Sequence, residues 1–213
     1  MDFHEFEKEI VKIKKMTLPG PEVQFQMAPM SRLSELKEAA RMMNNAKRAG
    51  VMALFYPSLD LSTRLVLILR KTYKGVHSAQ IGFPGGKMEK QDTSLEETAL
   101  RETEEEVGVP REKIKVIKEL TEVYIPPSNF FVQPFLGIAS QTPTFVPQEK
   151  EVEALIEVEL EKFLDESCVG RGTISASYAK SLEVPAFILN DHIVWGATAM
   201  MLNELREMLN KIF

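Results

Sequence analysis

The chain has 213 residues, 44% of them hydrophobic and 27% charged, which suits one large or two small globular domains and not a disordered or fibrous protein. Its net charge of −5 disfavours a nonspecific nucleic-acid binder, which needs a basic surface, but allows a small anionic substrate. The one cysteine, Cys168, cannot form an intrachain disulfide, and no run of the roughly 20 apolar residues needed for a membrane span occurs.

Two helices and two strands are predicted in the first third of the chain. Apolar residues recur there at three- and four-residue steps, as on an amphipathic helix: Phe3, Phe6, Ile10 and Ile13. The segment LPGPE, at 18–22, ends this helix. A second helix is predicted over 34–48, with Gly50 as its C-terminal stop. The apolar runs 51–56 and 64–71 flank a turn and predict two strands of one sheet.

More strands are predicted further along, with a helix at the end. The runs 113–125 and 130–139 are strand-like, and 153–164 predicts a strand that leads into a short helix. Asn190 and Asp191, between two apolar runs, predict a hairpin. The final helix carries an apolar stripe: Met201, Leu202, Leu205, Met208, Leu209 and Ile212. Because strands and helices alternate without a regular βαβ rhythm, we predict a mixed sheet flanked by helices, of the α/β (α+β) class.

The segment 82–109, GFPGGKMEKQDTSLEETALRETEEEVGV, carries eight acidic residues after a glycine turn. Ser94 followed by Glu97 is a capping-box signature, so a helix is predicted to begin near 94 and to end at Gly108. On this helix one arc of about 100° contains three carboxylates: Glu102, Glu105 and Glu106. Their repulsion costs roughly 0.2–0.5 kcal/mol per exposed i,i+4 pair.

This acidic face has two interpretations, a solvated surface or a site for a divalent metal. The preceding FPGG turn favours the metal site, because its proline stiffens the backbone and its glycines let the backbone approach a ligand. A loop carbonyl and clustered carboxylates are hard oxygen ligands, which suit Mg²⁺ or Mn²⁺. Such metals favour phosphate chemistry.

The acidic segment resembles the Nudix box, G-x5-E-x7-R-E-U-x-E-E-x-G-U with U aliphatic. Residues 101–109, RETEEEVGV, match its second half except for Thr103 at the first U position. The first half departs from the pattern, because Asp92 replaces the glutamate and eight residues, not seven, separate it from Arg101. The role of Asp92 is therefore open: a salt bridge to Arg101, an outer-shell ligand or a helix cap.

The longer box resembles that of Nudix enzymes that cleave coenzyme A. The upstream segment LVLILRKTYKGVHSAQIGFPGG is similar to the signature of that branch, with Arg70 at its first arginine. It departs at Gly75, where a basic residue is common, and at Ala79, where glycine is common. The segments YIPPSNFFVQPFLGIA and IVWGATAMML also resemble these enzymes, so the likeness covers about residues 27–209.

The resemblance implies metal-dependent hydrolysis of a diphosphate. Mg²⁺ or Mn²⁺ would be bound by Glu102, Glu105 and Glu106, with the Gly85 carbonyl as a further ligand, and Arg101 would orient a glutamate. The general base would be Glu102 or a glutamate of the later loop, Glu149 or Glu151, of which we favour Glu151.

For coenzyme A, hydrolysis would release 3′,5′-ADP and 4′-phosphopantetheine. The substrate phosphates would be contacted by residues around the metal loop: Arg70, Lys71, Lys74, His77 and Gly86. Phe130 and Phe131 could stack on adenine, although strand-core packing is the simpler interpretation.

We therefore expect a single Nudix hydrolase domain, 1–213, with a mixed sheet between helices and an N-terminal helical extension over about 1–50. The expected partner is a small-molecule substrate, with no nucleic acid and no membrane, in the cytoplasm. Met-rich helices suggest a homodimer. The alternatives are a Nudix enzyme for another nucleoside diphosphate (ADP-ribose, a dinucleotide or an oxidised dNTP), an inactive nucleotide sensor, or an acidic helical scaffold without activity.

Overall fold

A computed structural model describes residues 1–38, 46–71, 80–176 and 179–213 of the chain. The helices are α1 (Phe3–Ile10), α2 (Pro21–Gln24), α3 (Leu33–Lys37), α4 (Leu95–Val107), α5 (Leu160–Leu164) and α6 (Gly196–Leu209). The strands are β1 (Lys47–Pro57), β2 (Thr63–Arg70), β3 (Ile81–Gly82), β4 (Gly85–Lys87), β5 (Ile114–Glu119), β6 (Val123–Ile125), β7 (Phe130–Ala139), β8 (Val152–Glu159), β9 (Val169–Ala176), β10 (Ala179–Leu189) and β11 (His192–Trp195).

Within the described ranges, eight strands form one mixed sheet. Strand β1 runs parallel to β7 on one side, and on the other it pairs antiparallel with β4 near its start and with β2 near its end. Strand β2 pairs antiparallel with β8 and, through its last residues, with β3. Strands β5 and β6 pair with the far side of β7. The predicted mixed sheet is confirmed.

Helices cover both faces of this sheet, as predicted, and the alternation of side chains along each strand supplies two cores. Val66 and Ile68 of β2 pack in the core beneath α4, with Ala99 and Val107 of that helix. The intervening residues of β2 pack in the opposite core, beneath the N-terminal helices and α6. Phe6 of α1 lies there with its ring centroid 5.1 Å from that of Phe55 in β1.

A second sheet has the order β11-β10-β9. The predicted hairpin at Asn190 and Asp191 is confirmed: both residues have positive φ, 48° and 65°, and they connect β10 to β11. The apolar stripe of α6 is buried except for the partly buried Ile212. In the part of the chain that the structure describes, no helix has both the length and the apolar character needed to cross a bilayer.

Two local predictions are wrong, and one predicted strand run is divided in two. The helix predicted over 34–48 does not reach Arg48, since β1 begins at Lys47 and residues 39–45 lie outside the described ranges. Gly50 is no helix stop, because it lies in β1, where a Cβ would be 2.2 Å from the Leu95 carbonyl oxygen of α4. The run 113–125 is two strands, β5 and β6, with Leu120 donating to Pro134 between them.

The methionines of α6 do not supply the dimer surface that the sequence suggested. Met201 and Met208 are 4% and 0% exposed within the core of a single chain. The other methionine pair, at 42–43, lies outside the described residues.

Candidate functional site

Local capping sets the limits of the acidic helix α4. Ser94 is the N-cap, and its side chain accepts the Glu97 N–H at 3.1 Å. The Glu97 carboxylate accepts the N–H of Thr93 at 2.7 Å. In a capping box the acceptor would bond the N–H of Ser94, so the contact here is shifted by one residue. The helix ends at Gly108, whose φ is 76°. The predicted start and end of the helix are therefore confirmed.

Arg101 connects this helix to the preceding loop and to two of the predicted metal ligands. Its Nε and Nη2 donate to the two oxygens of Asp92 at 2.9 and 2.8 Å. Its Nη1 donates to Glu102 at 2.8 Å and to Glu105 at 3.3 Å, and Nη2 also reaches the Lys87 carbonyl. One guanidinium thus orients a carboxylate of the loop and carboxylates of the helix.

Asp92, whose role the sequence left open, forms a salt bridge to Arg101. It is 6% exposed, and its Oδ2 also accepts from the Glu89 N–H and the Thr98 hydroxyl, each at 2.9 Å. Hydrogen bonding to Arg101, above all, holds the pKa of Asp92 well below its usual value. Asp92 therefore fixes the loop onto the helix, although eight residues, and not seven, separate it from Arg101.

Glu106, the third carboxylate of the predicted metal site, is 1% exposed. One of its oxygens accepts the Gly85 N–H at 2.7 Å, and the other accepts from Arg70 Nη1 at 2.9 Å. Its pKa is raised to about 7, mainly by burial, with smaller contributions from the charges of Glu102 and Glu151, while Arg70 and the Gly85 N–H oppose the rise. The structure thus brings the FPGG turn, the end of β2 and the helix together at one carboxylate.

Arg70 reaches this carboxylate because of its place in β2. Val66 and Ile68 face α4, and a strand repeats every two residues, so Arg70 lies on the same face. The pairing of β2 with β8 shifts between Leu69 and Arg70, an irregularity of the kind that redirects side chains beside active sites. Its Nη2 also donates to the Gly85 carbonyl oxygen at 2.7 Å.

Gly86 leaves space for the carboxylate of Glu102. A Cβ at this position would lie 2.4 Å from Glu102 Oε2 and 2.7 Å from Oε1. Only a residue without a side chain lets the β4 backbone approach so closely. Glu102 is itself largely buried, and burial, opposed by Arg101 and assisted by the charges of Glu105 and Glu151, raises its pKa.

The loop before β8 brings Glu151 to the same region. Its N–H groups at Val146 and Gln148 donate to the carbonyls of Val107 and Glu106, both at 3.0 Å, at the end of α4. The Glu151 carbonyl accepts the Lys71 N–H at 2.8 Å. The charge of Glu151 contributes to the raised pKa of both Glu102 and Glu106. The loop that carries Glu151 therefore adjoins the end of α4 and the end of β2.

Comparison with known proteins identifies the family of the chain. Residues 46–174 match the NUDIX domain family, a span of more than half of the chain. The chain belongs to the Nudix family. A Nudix hydrolase named NudL from Yersinia enterocolitica, described as uncharacterized, is 35% identical over 151 residues, 68% of this chain and 74% of its own length. The NudL of Pectobacterium atrosepticum is 31% identical over 185 residues, 80% of this chain and 87% of its own.

Solved Nudix structures share the fold. The Nudix hydrolase RenU of M. smegmatis superposes with a TM-score of 0.55 at 18% identity, over 79% of this chain and 88% of its own. A MutT/nudix family protein from Enterococcus faecalis gives 0.50 at 15% identity, over 93% of this chain and 75% of its own. The chain is thus a Nudix hydrolase of mixed α and β structure, and such enzymes generally use divalent metal cations and small-molecule nucleotide substrates.

The Nudix box supplies a donor set that fits such a cation. Within residues 1–38, 46–71, 80–176 and 179–213, no three His, Cys, Asp or Glu side chains are already gathered as metal ligands, and Arg70 and Arg101 donate to Glu106 and Glu102. The available donors are nevertheless all oxygens, namely three box carboxylates and the Gly85 carbonyl, as Mg²⁺ and Mn²⁺ prefer.

The predicted substrate residues lie at different distances from the Nudix box. Arg70 lies in the site, in contact with Glu106. The sequence predicted it only as a substrate-binding residue and gave no signal of this contact. Lys71 follows Arg70, but its Nζ lies 3.8 Å from the carboxylate of Glu153 in β8. Lys74 and His77 lie outside the described residues. Phe131 is buried against Tyr124, with ring centroids 4.9 Å apart, as strand-core packing requires.

Proposed function

We propose that this enzyme hydrolyses the diphosphate bond of coenzyme A or its derivatives, with a divalent metal, to 3′,5′-ADP and 4′-phosphopantetheine or its acyl form. One observation carries the proposal: Arg70, the first arginine of the upstream segment that resembles coenzyme A enzymes, lies directly beside Glu106 and the Gly85 carbonyl. The arginine of this segment therefore contacts a box carboxylate, which supports the proposal.

The metal ligands in this proposal are Glu102, Glu105, Glu106 and the Gly85 carbonyl. Mg²⁺ or Mn²⁺ bound there would neutralise diphosphate oxygens and polarise the phosphorus for attack. Arg101 holds Glu102 and Glu105 on one side of the site through Nη1, with donor–acceptor distances of 2.8 and 3.3 Å. Gly86 has no side chain and so leaves space for the Glu102 carboxylate beside β4.

Glu151 is the proposed general base. Water attacks one phosphorus, the anhydride P–O bond breaks, the other phosphate leaves, and the proton of water passes to the Glu151 carboxylate. Its loop is fixed at both ends, through Gln148 to the end of α4 and through Lys71 to β2. A base on a fixed loop, close to the box carboxylates but outside their helix, can face the water without giving up a metal ligand.

Product identification tests this function. The protein is incubated with coenzyme A, ADP-ribose or an oxidised dGTP, each with Mg²⁺, with Mn²⁺ and with chelator. We expect 3′,5′-ADP from coenzyme A, only with metal, and the highest kcat/KM of the three. Higher activity on another nucleotide would overturn the coenzyme A assignment and retain the metal-dependent hydrolase, and no cleavage of any of them would favour a nucleotide sensor.

The 3′-phosphate of coenzyme A provides a second comparison. Lys71 is the described lysine that follows Arg70, and its Nζ lies 3.8 Å from Glu153. We propose that Lys71→Ala raises KM for coenzyme A more than for its 3′-dephospho form. Equal effects would assign Lys71 to the surface ion pair with Glu153 alone.

The lone buried cysteine, Cys168, agrees with a reducing compartment, and we place the enzyme in the cytoplasm.

A further inference from the structure

The guanidinium of Arg70 contacts two oxygens that the proposed metal site needs. Nη1 donates to Glu106 Oε1 at 2.9 Å, and Nη2 donates to the Gly85 carbonyl oxygen at 2.7 Å. The other oxygen of Glu106 accepts the Gly85 N–H, so both oxygens of this carboxylate are engaged. A divalent cation and a guanidinium compete for these two oxygens, because their like charges repel at such short distance.

We propose that a divalent cation displaces Arg70 from Glu106 and Gly85, and that the released guanidinium then binds the diphosphate of the substrate. The inference rests on the proposed metal-dependent function and adds an order to it, with metal binding before substrate. Arg70 thus competes with the metal for Glu106 and Gly85, and it binds the substrate diphosphate once the metal is in place.

The surroundings of Arg70 favour such an exchange of partners. Its backbone is held by β2, since its N–H donates to the Gln80 carbonyl at 3.0 Å, and the next N–H donates to Glu151. Its side chain is 24% exposed, so the guanidinium reaches solvent by rotation alone. A planar fork of N–H donors that pairs with a carboxylate and a carbonyl also pairs with two phosphate oxygens.

The pairing also explains how the metal-free protein tolerates a buried acid. Glu106 is 1% exposed, and an unpaired charge there would be strongly unfavourable. Arg70 compensates this charge and keeps the carboxylate directed at the Gly85 turn. A doubly charged ion gains more than a guanidinium from the same oxygens, since the Coulomb energy scales with charge.

Two titrations test the proposal, both near pH 8.5 so that Glu106 is ionised. The first measures Mn²⁺ binding alone, by electron paramagnetic resonance or calorimetry. Arg70→Gln should tighten Mn²⁺ binding by roughly tenfold, the effect of removing one charge-assisted competitor. The second measures imidodiphosphate, a non-hydrolysable diphosphate, at a fixed free Mn²⁺ concentration. The same variant should weaken this binding by roughly tenfold.

Two further variants serve as controls. Arg64→Gln removes the same charge from the same face of β2, where Arg64 lies 3.7 Å from Glu159, and should change neither titration. Arg70→Lys retains the charge but not the fork, and should give intermediate values in both. A simple loss of structure would weaken both ligands, whereas the proposal requires effects of opposite sign.

The outcomes separate this inference from the proposed function. If wild type binds Mn²⁺ and hydrolyses coenzyme A, yet Arg70→Gln binds Mn²⁺ equally or more weakly, the displacement of Arg70 is wrong and the function stands. Tighter Mn²⁺ binding with unchanged imidodiphosphate binding would overturn the transfer to substrate. Failure of wild type to bind Mn²⁺ at all would overturn the metal site and with it both proposals.

Discussion

Arg101 and Asp92 form a bidentate ion pair, with Nε and Nη2 of the arginine 2.9 and 2.8 Å from the two aspartate oxygens. Asp92 lies in the loop after β4, and Arg101 lies in α4, so the pair joins the loop to the helix. The remaining Nη1 is directed at Glu102. The orientation of Glu102, a proposed metal ligand, therefore depends on an acid that lies nine residues before Arg101 in the chain.

The first prediction is that Asp92→Asn destabilises the protein by about 3 kcal/mol, the cost of breaking a buried ion pair from one side. An asparagine presents an NH₂ group to the guanidinium and leaves its charge uncompensated. Urea denaturation measures the change. Glu104→Gln is the control, since it breaks only the surface pair with Arg111, at 2.7 Å, and should cost at most about 1 kcal/mol.

The effect of Asp92→Asn should depend on pH. The folded protein holds the pKa of Asp92 below its ordinary value of 3.8, so its stabilisation is fully present above pH 3.8. Below this value the unfolded chain takes up the proton first, and the advantage of wild type over the variant declines. A stability difference that stayed constant from pH 6 to pH 3 would contradict the assigned ion pair.

The features of the fold that sequence predicted best are set by short stretches of chain. Ser94 and Gly108 mark the ends of α4, and Asn190-Asp191 marks a hairpin, because caps and tight turns depend on neighbouring residues. Short apolar runs bounded by turns likewise predicted strands β1, β2, β7 and β8. The carboxylates of α4 were also predictable, because one helix presents them together.

The features that sequence missed depend on distant partners. Lys47 and Arg48 follow a helical pattern, yet they form a strand because β7 pairs with them in register. Gly50 resembles a helix stop, but its lack of a side chain serves the approach of Leu95 from a helix 45 positions later. Arg70 and Glu106 are 36 positions apart and meet only when β2 and α4 pack together. No local pattern encodes such a meeting.

The second prediction concerns Glu105, whose side chain is 50% exposed. Glu105→Gln should reduce turnover by more than about a hundredfold, since loss of even an outer-shell partner of a metal costs about 10–100-fold. Stability should change by less than about 0.5 kcal/mol, as for most surface substitutions. Glu104→Gln, its neighbour on the helix, should retain activity. Normal turnover of Glu105→Gln in Mg²⁺ would contradict the proposed metal site.

The third prediction concerns the general base. Glu151→Gln should lower kcat by about 10²–10⁴-fold, the range for loss of a general base, while Mn²⁺ binding changes little. Glu149→Gln is the matched control, because Glu149 lies in the same loop and carries the same charge. If Glu149→Gln shows the large loss instead, the base is Glu149, and if neither variant is affected, the base lies within the box helix.

The fourth prediction follows from the pKa of Glu106, which burial raises from its ordinary 4.5 to about 7. The folded protein therefore holds this proton more tightly than the unfolded chain, and the associated stability is full below pH 4.5 and lost as pH rises through 7. Thermal denaturation of metal-free protein should show this decline, and Glu106→Gln should lack it. Mn²⁺ binding should strengthen over the same range, by up to about tenfold per pH unit, because the metal needs the carboxylate form.

The fifth prediction uses the space beside Gly86. Gly86→Ala places a methyl group 2.4 Å from the position of Glu102 Oε2, so the carboxylate must move away from the site. A displacement of about 1 Å in a reacting constellation costs roughly a hundredfold in rate. Stability should change little, because a flexible side chain gives way and the backbone does not. Gly170→Ala, where a Cβ meets nothing within 4 Å, is the control and should keep full activity. Equal activity of the two alanine variants would mean that the position of Glu102 does not limit turnover. The role of metal ligand would then rest on Glu105 and Glu106, and the role of general base on Glu151.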